Sequence, residues 1–292
     1  MSGPLLVVDT PSMLYRAFFA LPKTITGVDD RAVNALLGTA NLVLREVEEH
    51  EPRAVVLCFG AEAAKYRTEL LPSYHADRDE MPELLVWQWE QAPRFFARFG
   101  FVIEQHPTLE ADDILGTLAR KEEEAGGEAL ILTGDRDMFQ CATEKASVLY
   151  VSTKIKGGAE RLGPAEVEAR YRIPPALVPD FIALRGDPSD GIPGAKGVGE
   201  KGAADLLIEY GSLENLLDNA LRITKPKLRT TLVEMRDELL GYKDIATLRD
   251  SGSELPPDAP LDTEAAADAA LEYGMTRLSE RLASWGSEAP RQ

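Results

Sequence analysis

The sequence predicts an α/β protein with a mainly parallel sheet. Two observations carry that expectation. Short apolar runs alternate with amphipathic stretches through the first two-thirds of the chain, and acidic residues stand directly behind several of those runs. Open α/β sheets bind ligands beyond the carboxyl ends of their strands, so the second observation locates a site as well as a fold. The candidate strands are Pro4 to Val8, Ala54 to Phe59, Phe101 to Glu104, Ala129 to Thr133 and Val148 to Val151. Between them, Val33 to Glu49, Leu84 to Phe99 and Asp112 to Ala125 repeat apolar residues at helical spacing. Pro93 lacks an N–H and crowds the preceding turn, so it is expected to kink or divide the second of these. Trp87, Trp89, Phe95, Phe96 and Phe99 fall on that helix at mixed spacings and read as packing residues rather than platforms for bases. Of Tyr15, Phe18 and Phe19, packing statistics assign two to the core. Ala203 to Tyr210 reads as a later helix, and Ala265 to Trp285 as an alanine-rich helix docked on the core, without an assigned function.

Composition narrows the class. A chain of 292 residues, 44% apolar and 7% aromatic, has ample material for a core in one large domain or two modest ones. It shows no basic segment followed by a long apolar run and no stretch long enough to cross a bilayer, so a soluble cytoplasmic protein is expected. Cys58 and Cys141 lie in or beside apolar segments without metal-binding spacing, and are expected as buried thiols. The net charge of −17 argues at first against a nucleic-acid partner. That average conceals local grouping. Basic residues gather as Lys154 with Lys156, Lys196 with Lys201, and Lys225 with Lys227 and Arg229, and any phosphate binding must rest on such patches.

The acids are grouped too. Glu110, Asp112 and Asp113 open one helix, Asp135 and Asp137 follow the fourth strand, Asp187 and Asp190 flank a Pro-Ser pair, and Asp9 ends the first strand. Singly, such residues are usually helix caps or loop acids. Glu122, Glu123 and Glu124, far along their helix, show the ordinary case of a solvated face. Brought onto one rim, carboxylates repel strongly at low dielectric, and only cations of high charge make the cluster tolerable. A metal site is the reading that unites them. An all-oxygen set suits magnesium or manganese, whereas zinc wants His or Cys. Two divalent ions about 4 Å apart can polarise a phosphodiester, activate water and neutralise the leaving oxygen without a side-chain nucleophile. Asp9-Thr10 also looks like the start of a phosphatase loop, but Pro11 and Ser12 supply no second aspartate.

The stretch from Arg185 to Ala204 is the most specific in the chain. Gly194, Gly197, Gly199 and Gly202 permit positive φ and close backbone approach ahead of a helix. A Gly-Val-Gly turn opening a helix can aim several N–H groups at a phosphate, with Lys196 and Lys201 beside it. Four segments, Leu14-Tyr-Arg-Ala-Phe-Phe-Ala-Leu-Pro, Glu110-Ala-Asp-Asp, Thr133-Gly-Asp-Arg-Asp and Gly186-Asp-Pro-Ser-Asp through Gly199-Glu-Lys, resemble the bacterial 5′-nuclease (flap endonuclease) family. That family includes the 5′→3′ exonuclease domain of DNA polymerase I and its stand-alone versions. The resemblance runs from about Leu5 to about Arg249.

That resemblance implies a PIN-like (Rossmann-like) nuclease core over residues 1–172, with a helical arch at about 62–83. It implies a helical region over 173–260 whose helix-three-turn-helix element, about 185–210, grips duplex DNA; residues 261–292 are not covered. The implied site is a pair of Mg2+ or Mn2+ ions on Asp9, Glu110, Asp112, Asp113, Asp135, Asp137, Asp187 and Asp190. Arg67 and Arg78 are implied at the scissile phosphate or threaded strand, and Tyr15 and Arg16 near the reacting nucleotide. Gly197, Val198 and Gly199 match a K+-assisted contact to the duplex backbone, and His75, Lys196, Lys201, Lys225, Lys227 and Arg229 complete the expected DNA surface. The implied activity is that of a monomeric 5′→3′ exonuclease and flap endonuclease of the cytoplasm and nucleoid. Its partners would be DNA with 5′ flaps, nicks or 5′ ends, RNA-primed ends included, in replication and repair.

The chain departs from the family pattern at two places. Relatives carry Phe-Asp after the second strand, whereas Phe59 is followed by Gly60; a carboxylate is missing, and Glu62 or water would take its place. His75 stands where relatives usually carry lysine, replacing a permanent cation by a residue mostly neutral at pH 7 and expected to face solvent. These departures keep open a second reading, a catalytically weak binder of branched DNA in which metals only help hold phosphate. A PIN-type RNase is disfavoured, because such proteins usually lack the Gly-Val-Gly element.

Overall fold

The structure, a computed structural model, describes residues 3–76, 78–152 and 158–285; Lys154 and Lys156 lie outside them. Among the described residues one sheet contains β1 (Leu5–Asp9), β2 (Ala54–Phe59), β3 (Val102–Gln105), β4 (Ala129–Thr133), β5 (Ala146–Tyr150) and β6 (Glu160–Leu162). Their order is β3-β2-β1-β4-β5-β6, parallel throughout except for the antiparallel edge strand β6. This is the α/β class the sequence predicts. The extra strand β6 is short and exposed at two of its positions, so it leaves no apolar run to read. Every residue of β1, β2, β4 and β5 is buried, as strands covered on both faces must be. Alternation survives in the packing: Leu5 and Val7 join one core, Leu6 and Val8 the other.

The N-terminal helices are α1 (Thr10–Ala20), α2 (Asn34–His50), α3 (Lys65–Leu70), α4 (Glu83–Ala97) and α5 (Ala111–Glu124). Helices α1, α2 and α4 contribute to the Leu6–Val8 core, and α5 to the opposite one. Pro93 does not divide α4. Ala92, Phe95 and Phe96 bury the helix face around the ring, and that packing outweighs one lost hydrogen bond. Of the aromatics on α1 only Phe18 is core, one fewer than expected: Tyr15 is half-buried and Phe19 is 67% exposed. Cys58 is fully buried and Cys141 half-buried, both free thiols.

The second region comprises α6 (Pro164–Tyr171), α7 (Val178–Arg185), α8 (Glu200–Tyr210), α9 (Leu213–Asp218), α10 (Pro226–Glu234) and α11 (Arg236–Ala246), with α7 packed against α8 and α11. The chain then returns along the first core. Ala259 N–H donates to Arg53 O at 2.8 Å and Asp262 N–H to Phe99 O at 3.0 Å. The single helix expected over Ala265 to Trp285 is two, α12 (Thr263–Glu272) and α13 (Thr276–Trp285). Gly274 separates them at φ +78, a conformation that stops a helix, and its Cα faces Gly27 so closely that a Cβ would lie 2.7 Å away. Ala266, Ala270, Leu278 and Leu282 close the core that α2 and α4 share. No helix of the described residues is long and apolar enough to cross a membrane.

These C-terminal helices are therefore part of the folded core rather than an appendage. Leu282→Ala is expected to lower stability by about 2–5 kcal/mol, read as a shifted urea midpoint with an unchanged slope. A variant with wild-type stability would show that the hairpin is only loosely attached.

Candidate active site

Sheet order decides where the site lies. From β1 the order runs to β2 and β3 on one side and to β4 and β5 on the other, so it reverses between β1 and β4 and a crevice opens beyond their carboxyl ends. Asp9 ends β1 and Thr133 ends β4, and Thr133 Oγ1 donates to Asp9 Oδ2 across that crevice at 2.7 Å. Asp9 also caps α1, accepting from Ser12 N–H at 3.1 Å. Asp135 N–H donates to Thr133 Oγ1, and Asp135 Oδ1 accepts from Asp137 N–H, both at 2.9 Å. Glu110 and Asp112 arrive at the N-terminus of α5, where the helix dipole favours anions. Asp187 and Asp190 arrive on the turn after α7, which is closed by reciprocal 2.8 Å hydrogen bonds between Asp187 and Ile192.

The forces on these groups show which of them meet. Burial first, then the charges of Asp9, Asp135 and Glu110, push Asp112 well above the ordinary carboxylate range. Burial and the charge of Asp190 push Asp135 up to about 6, with Asp9 and Asp187 adding to the rise. Asp137 is raised by burial and by Asp135, Asp190, Asp187 and Asp112. Asp9 is raised by burial against the pull of its Thr133 and Ser12 hydrogen bonds. The carboxylates of Asp112 and Asp137 receive no hydrogen bond or ion pair from the described residues. Oxygen donors left in that state fit hard divalent cations. They do not converge on one point: among the described residues the only tight trio of candidate ligands, with atoms within 4.8 Å of one another, is Glu46, Glu49 and His50 on α2.

Other acids of the group are neutralised by the protein itself. Asp113, expected as a metal ligand, is fully buried and occupied. Its Oδ1 accepts from Arg249 N–H at 2.8 Å and Arg67 Nη2 at 3.2 Å, and its Oδ2 from Glu110 N–H at 3.2 Å. Arg67, expected at the scissile phosphate, is 3% exposed, sits 2.8 Å from Glu110 Oε1, and donates through Nε to Ile245 O at 3.0 Å. Buried carboxylates need a buried cation, and that requirement takes Arg67 away from any substrate. The segment 62–83, expected as a helical arch, holds one short helix, α3, and otherwise turns and extended chain among the described residues. It lies down on the acids. Tyr74 OH donates to Glu110 Oε2 at 3.1 Å, His75 Nε2 sits 3.1 Å and Arg78 Nη2 3.4 Å from Asp190 Oδ1. The His75 side chain, expected in solvent, is only 4% exposed and stacks on Tyr74. Burial would raise Asp190, but the His75 hydrogen bond and the charges of His75, Arg78 and Arg67 outweigh it and hold the carboxyl below its ordinary value. Arg185 Nη2 meets Asp187 Oδ2 at 2.8 Å.

Gly60 explains its own departure from the family pattern. A Cβ there would lie 2.3 Å from Ala111 N and 2.6 Å from Glu110 Cα, so the start of α5 occupies the space a carboxylate would need. Glu62 lines the neighbouring cavity instead.

Two cavities meet at Ser12 and Asp135. One, of about 680 Å³, is lined by Asp9, Glu110, Asp112 and Asp135 together with Tyr15, Met81, Trp89 and Arg78. The other, of about 640 Å³, is lined by Arg16, Arg136, Arg185, Asp187 and Ser189. Sequence reading missed Thr133, Arg136 and Arg185 because their motifs were read for acids alone, and it assigned Trp89 to packing. A third cavity, of about 1320 Å³, brings Lys196, Gly197 and Val198 together with Lys225 and Lys227. Lys201 is exposed beside it at the start of α8, and Arg229 is half-buried with Nη1 3.4 Å from Ile223 O. Gly197 takes φ +83, Gly199 caps α8, and a Cβ on either would meet nothing, so this turn presents an open face.

A sheet covered on both faces, with an acidic crevice at its switch point and a helical second region, defines the resolvase-like class of α/β proteins. The model of the 5′-3′ exonuclease N-terminal resolvase-like domain matches residues 4–172, and that of the 5′-3′ exonuclease C-terminal SAM fold matches 173–267. The chain belongs to the 5′-3′ exonuclease family. It is 32% identical over 317 residues to the 5′-3′ exonuclease of Mycobacterium tuberculosis, with 97% of each chain covered. It is 39% identical over 259 residues to the thermostable DNA polymerase I of Thermus filiformis, covering 89% of this chain and 29% of the relative. The chain spans about a third of the length of the polymerase relatives it matches. Its fold is like that of T5 5′-exonuclease with bound zinc (TM-score 0.68, 15% identity, 96% of this chain and 98% of the other). It is also like the catalytic core of Rad2 in complex with DNA substrate (TM-score 0.62, 16% identity, 96% and 91%).

Arg67→Ala leaves Glu110 and Asp113 buried without their cation and is expected to lower stability by about 3–5 kcal/mol in urea unfolding. The raised acids have the opposite consequence. Asp112, Asp135 and Asp137 keep protons in the fold that they lose when unfolded, so the metal-free protein loses stability as pH rises from about 4 through about 6 and beyond. Asp137→Asn is expected to raise the metal-free melting temperature near neutral pH by about 2–4 °C for each kcal/mol of repulsion relieved, and to flatten that decline. A lower melting temperature at neutral pH would mean that Asp137 is not under like-charge strain.

Proposed function

We propose that this chain is a structure-specific 5′→3′ exonuclease and 5′-flap endonuclease that hydrolyses DNA phosphodiesters, RNA-primed 5′ ends included, with two Mg2+ or Mn2+ ions. The observation that carries this reading is the pair Asp112 and Asp137, carboxylates without hydrogen-bond or ion-pair partners among the described residues, in the field of Asp9 and Asp135. Asp9, Asp112, Asp135 and Asp137 would hold the ions directly, and Glu110, Asp187 and Asp190 would complete the set through the lone pairs that Arg67, Arg185 and His75 with Arg78 leave free. When bound, these ions lower the pKa of the attacking water and offset the charge that builds on the phosphate. The chain's own groups do the positioning. Thr133 and the Ser12 N–H fix Asp9, and Arg67 with Tyr74 fixes Glu110. Arg78, with 44% of its side chain exposed on the first cavity, and Arg16, Arg136 and Arg185 on the second, can neutralise phosphates on either side of Asp135. Tyr15 faces the nucleotide that enters the first cavity.

Duplex DNA would be gripped some distance along, by the Gly197-Val198-Gly199 turn with K+ and the free N–H groups that open α8. Lys196, Lys201, Lys225, Lys227 and Arg229 supply the local positive charge that the chain as a whole lacks. The partner is DNA with a 5′ flap, nick or 5′ end, met by a monomer in the cytoplasm at the nucleoid. Residues 1–172 carry most of the reacting groups, and 173–260 add Arg185, Asp187 and Asp190 together with the duplex grip. Fold likeness to a 5′-exonuclease with bound divalent ions and to the catalytic core of Rad2 in complex with DNA substrate supports the reading. A catalytically weak binder of branched DNA is the second reading, favoured by the carboxylate that Gly60 has no room to carry.

A labelled 5′-flap duplex separates the two. Cleavage is expected with Mg2+ or Mn2+ and none in chelator, and Asp112→Asn should lower kcat/KM by more than the ~100-fold expected of an outer-shell change. Binding with no metal-dependent cutting at any ion concentration would leave the binder.

A further inference from the structure

We infer that the cavity beside Asp9 and Asp112 is a nucleobase pocket in which Trp89 stacks an unpaired base next to the scissile phosphate. This rests on the proposed nuclease reading and names the part of the substrate that the cavity selects. The cavity carries two chemistries in about 680 Å³: carboxylates in Asp9, Asp112 and Asp135, and apolar or aromatic side chains in Tyr15, Met81 and Trp89. An apolar ligand would leave the acids without a purpose, and a free phosphate would leave the aromatics without one. A nucleotide has both a phosphate for metal ions held by the acids and a flat ring to lay on an indole.

Trp89 is placed for that task. It is only half-buried, whereas Phe95 and Phe96 on the same helix are fully buried and fill the core. The rings of Tyr15 and Phe59 stand nearly perpendicular to it, at 6.0 Å and 75° and at 6.4 Å and 82°, so the indole is held in place before any ligand arrives. Glu62, Arg78 and Glu80 at the same cavity offer acceptors and donors to a base edge. A base can reach this wall only by leaving its own stack, which is easiest where the nucleotide is already unpaired. The pocket therefore favours flaps and frayed ends over continuous duplex, and stacking on an indole tolerates every base.

Affinity is measured by fluorescence anisotropy on a labelled 5′-flap duplex, with Ca2+ in place of Mg2+ to hold the complex uncut. An abasic nucleotide is scanned across the positions flanking the scissile phosphate. Trp89→Ala is expected to weaken binding of intact DNA roughly 5- to 150-fold, the equivalent of about 1–3 kcal/mol of stacking. That loss should vanish at one abasic position, while Trp89→Phe keeps most of the affinity. Wild-type protein gives a reading that needs no folded variant: its tryptophan emission should be quenched by intact flap DNA and not by the DNA abasic at that position. Equal losses on every substrate, or quenching indifferent to the abasic site, overturn the base pocket. Failure of the wild type to cut any flap with Mg2+ or Mn2+ would instead overturn the nuclease reading, and is scored separately.

Discussion

Mutual repulsion among Asp9, Asp112, Asp135 and Asp137 sets the terms on which the surrounding elements can be arranged. Burial first and like charge second raise Asp112, Asp135 and Asp137, burial raises Asp9, and the protein answers only part of that strain. It does so with fixed dipoles: the N-terminus of α5 behind Asp112, the Ser12 N–H and Thr133 hydroxyl on Asp9, and the Asp137 N–H on Asp135. What remains calls for cations from outside. The proposed divalent metals would supply that charge, because the fold alone is incomplete electrostatically.

Around this centre the protein distributes its own cations so that they hold the frame and leave the middle open. Arg67 serves Glu110 and Asp113, Arg185 serves Asp187, and His75 with Arg78 serves Asp190. Arg67 also reaches the end of α11, and Arg249 binds Asp113 through its backbone, so the second region is tied to the first at the acids themselves. Loss of a single buried arginine would therefore disturb fold and chemistry together. The chain between α3 and α4 is part of the same arrangement, resting on Glu110 and Asp190 rather than standing clear of them.

The cavities give the centre its direction. Asp135 stands between a space lined by guanidinium groups and one lined by aromatic rings. A strand passing from one to the other would present phosphates to the first and a base to the second. The lysines about the Gly197 turn lie in a separate cavity, consistent with a duplex held away from the reacting bond. On the proposed function, this separation lets a chain of net charge −17 meet a polyanion, because contact is local and screening shortens the reach of the rest.

Much of this was legible before any coordinates. Apolar runs announced β1, β2, β4 and β5, because strands buried on both faces must be apolar throughout, and the paired acids pointed to the crevice where Asp9, Asp112 and Asp135 line one cavity. Backbone pattern, though, is local, and the ownership of a charge is not. That Asp113 turns to Arg249, that Arg67 is buried between two carboxylates, and that His75 lies on Asp190 depend on residues scores of positions apart. Gly274 and Pro93 make the same point for shape. One allows a helix to be broken, the other fails to break one, and packing against α2 and the sheet made the choice. Sequence by itself determined which side-chain chemistry was present; tertiary structure alone decided which acids the protein pairs with its own cations and which, among the described residues, it leaves unpaired, since that depends on distance and burial.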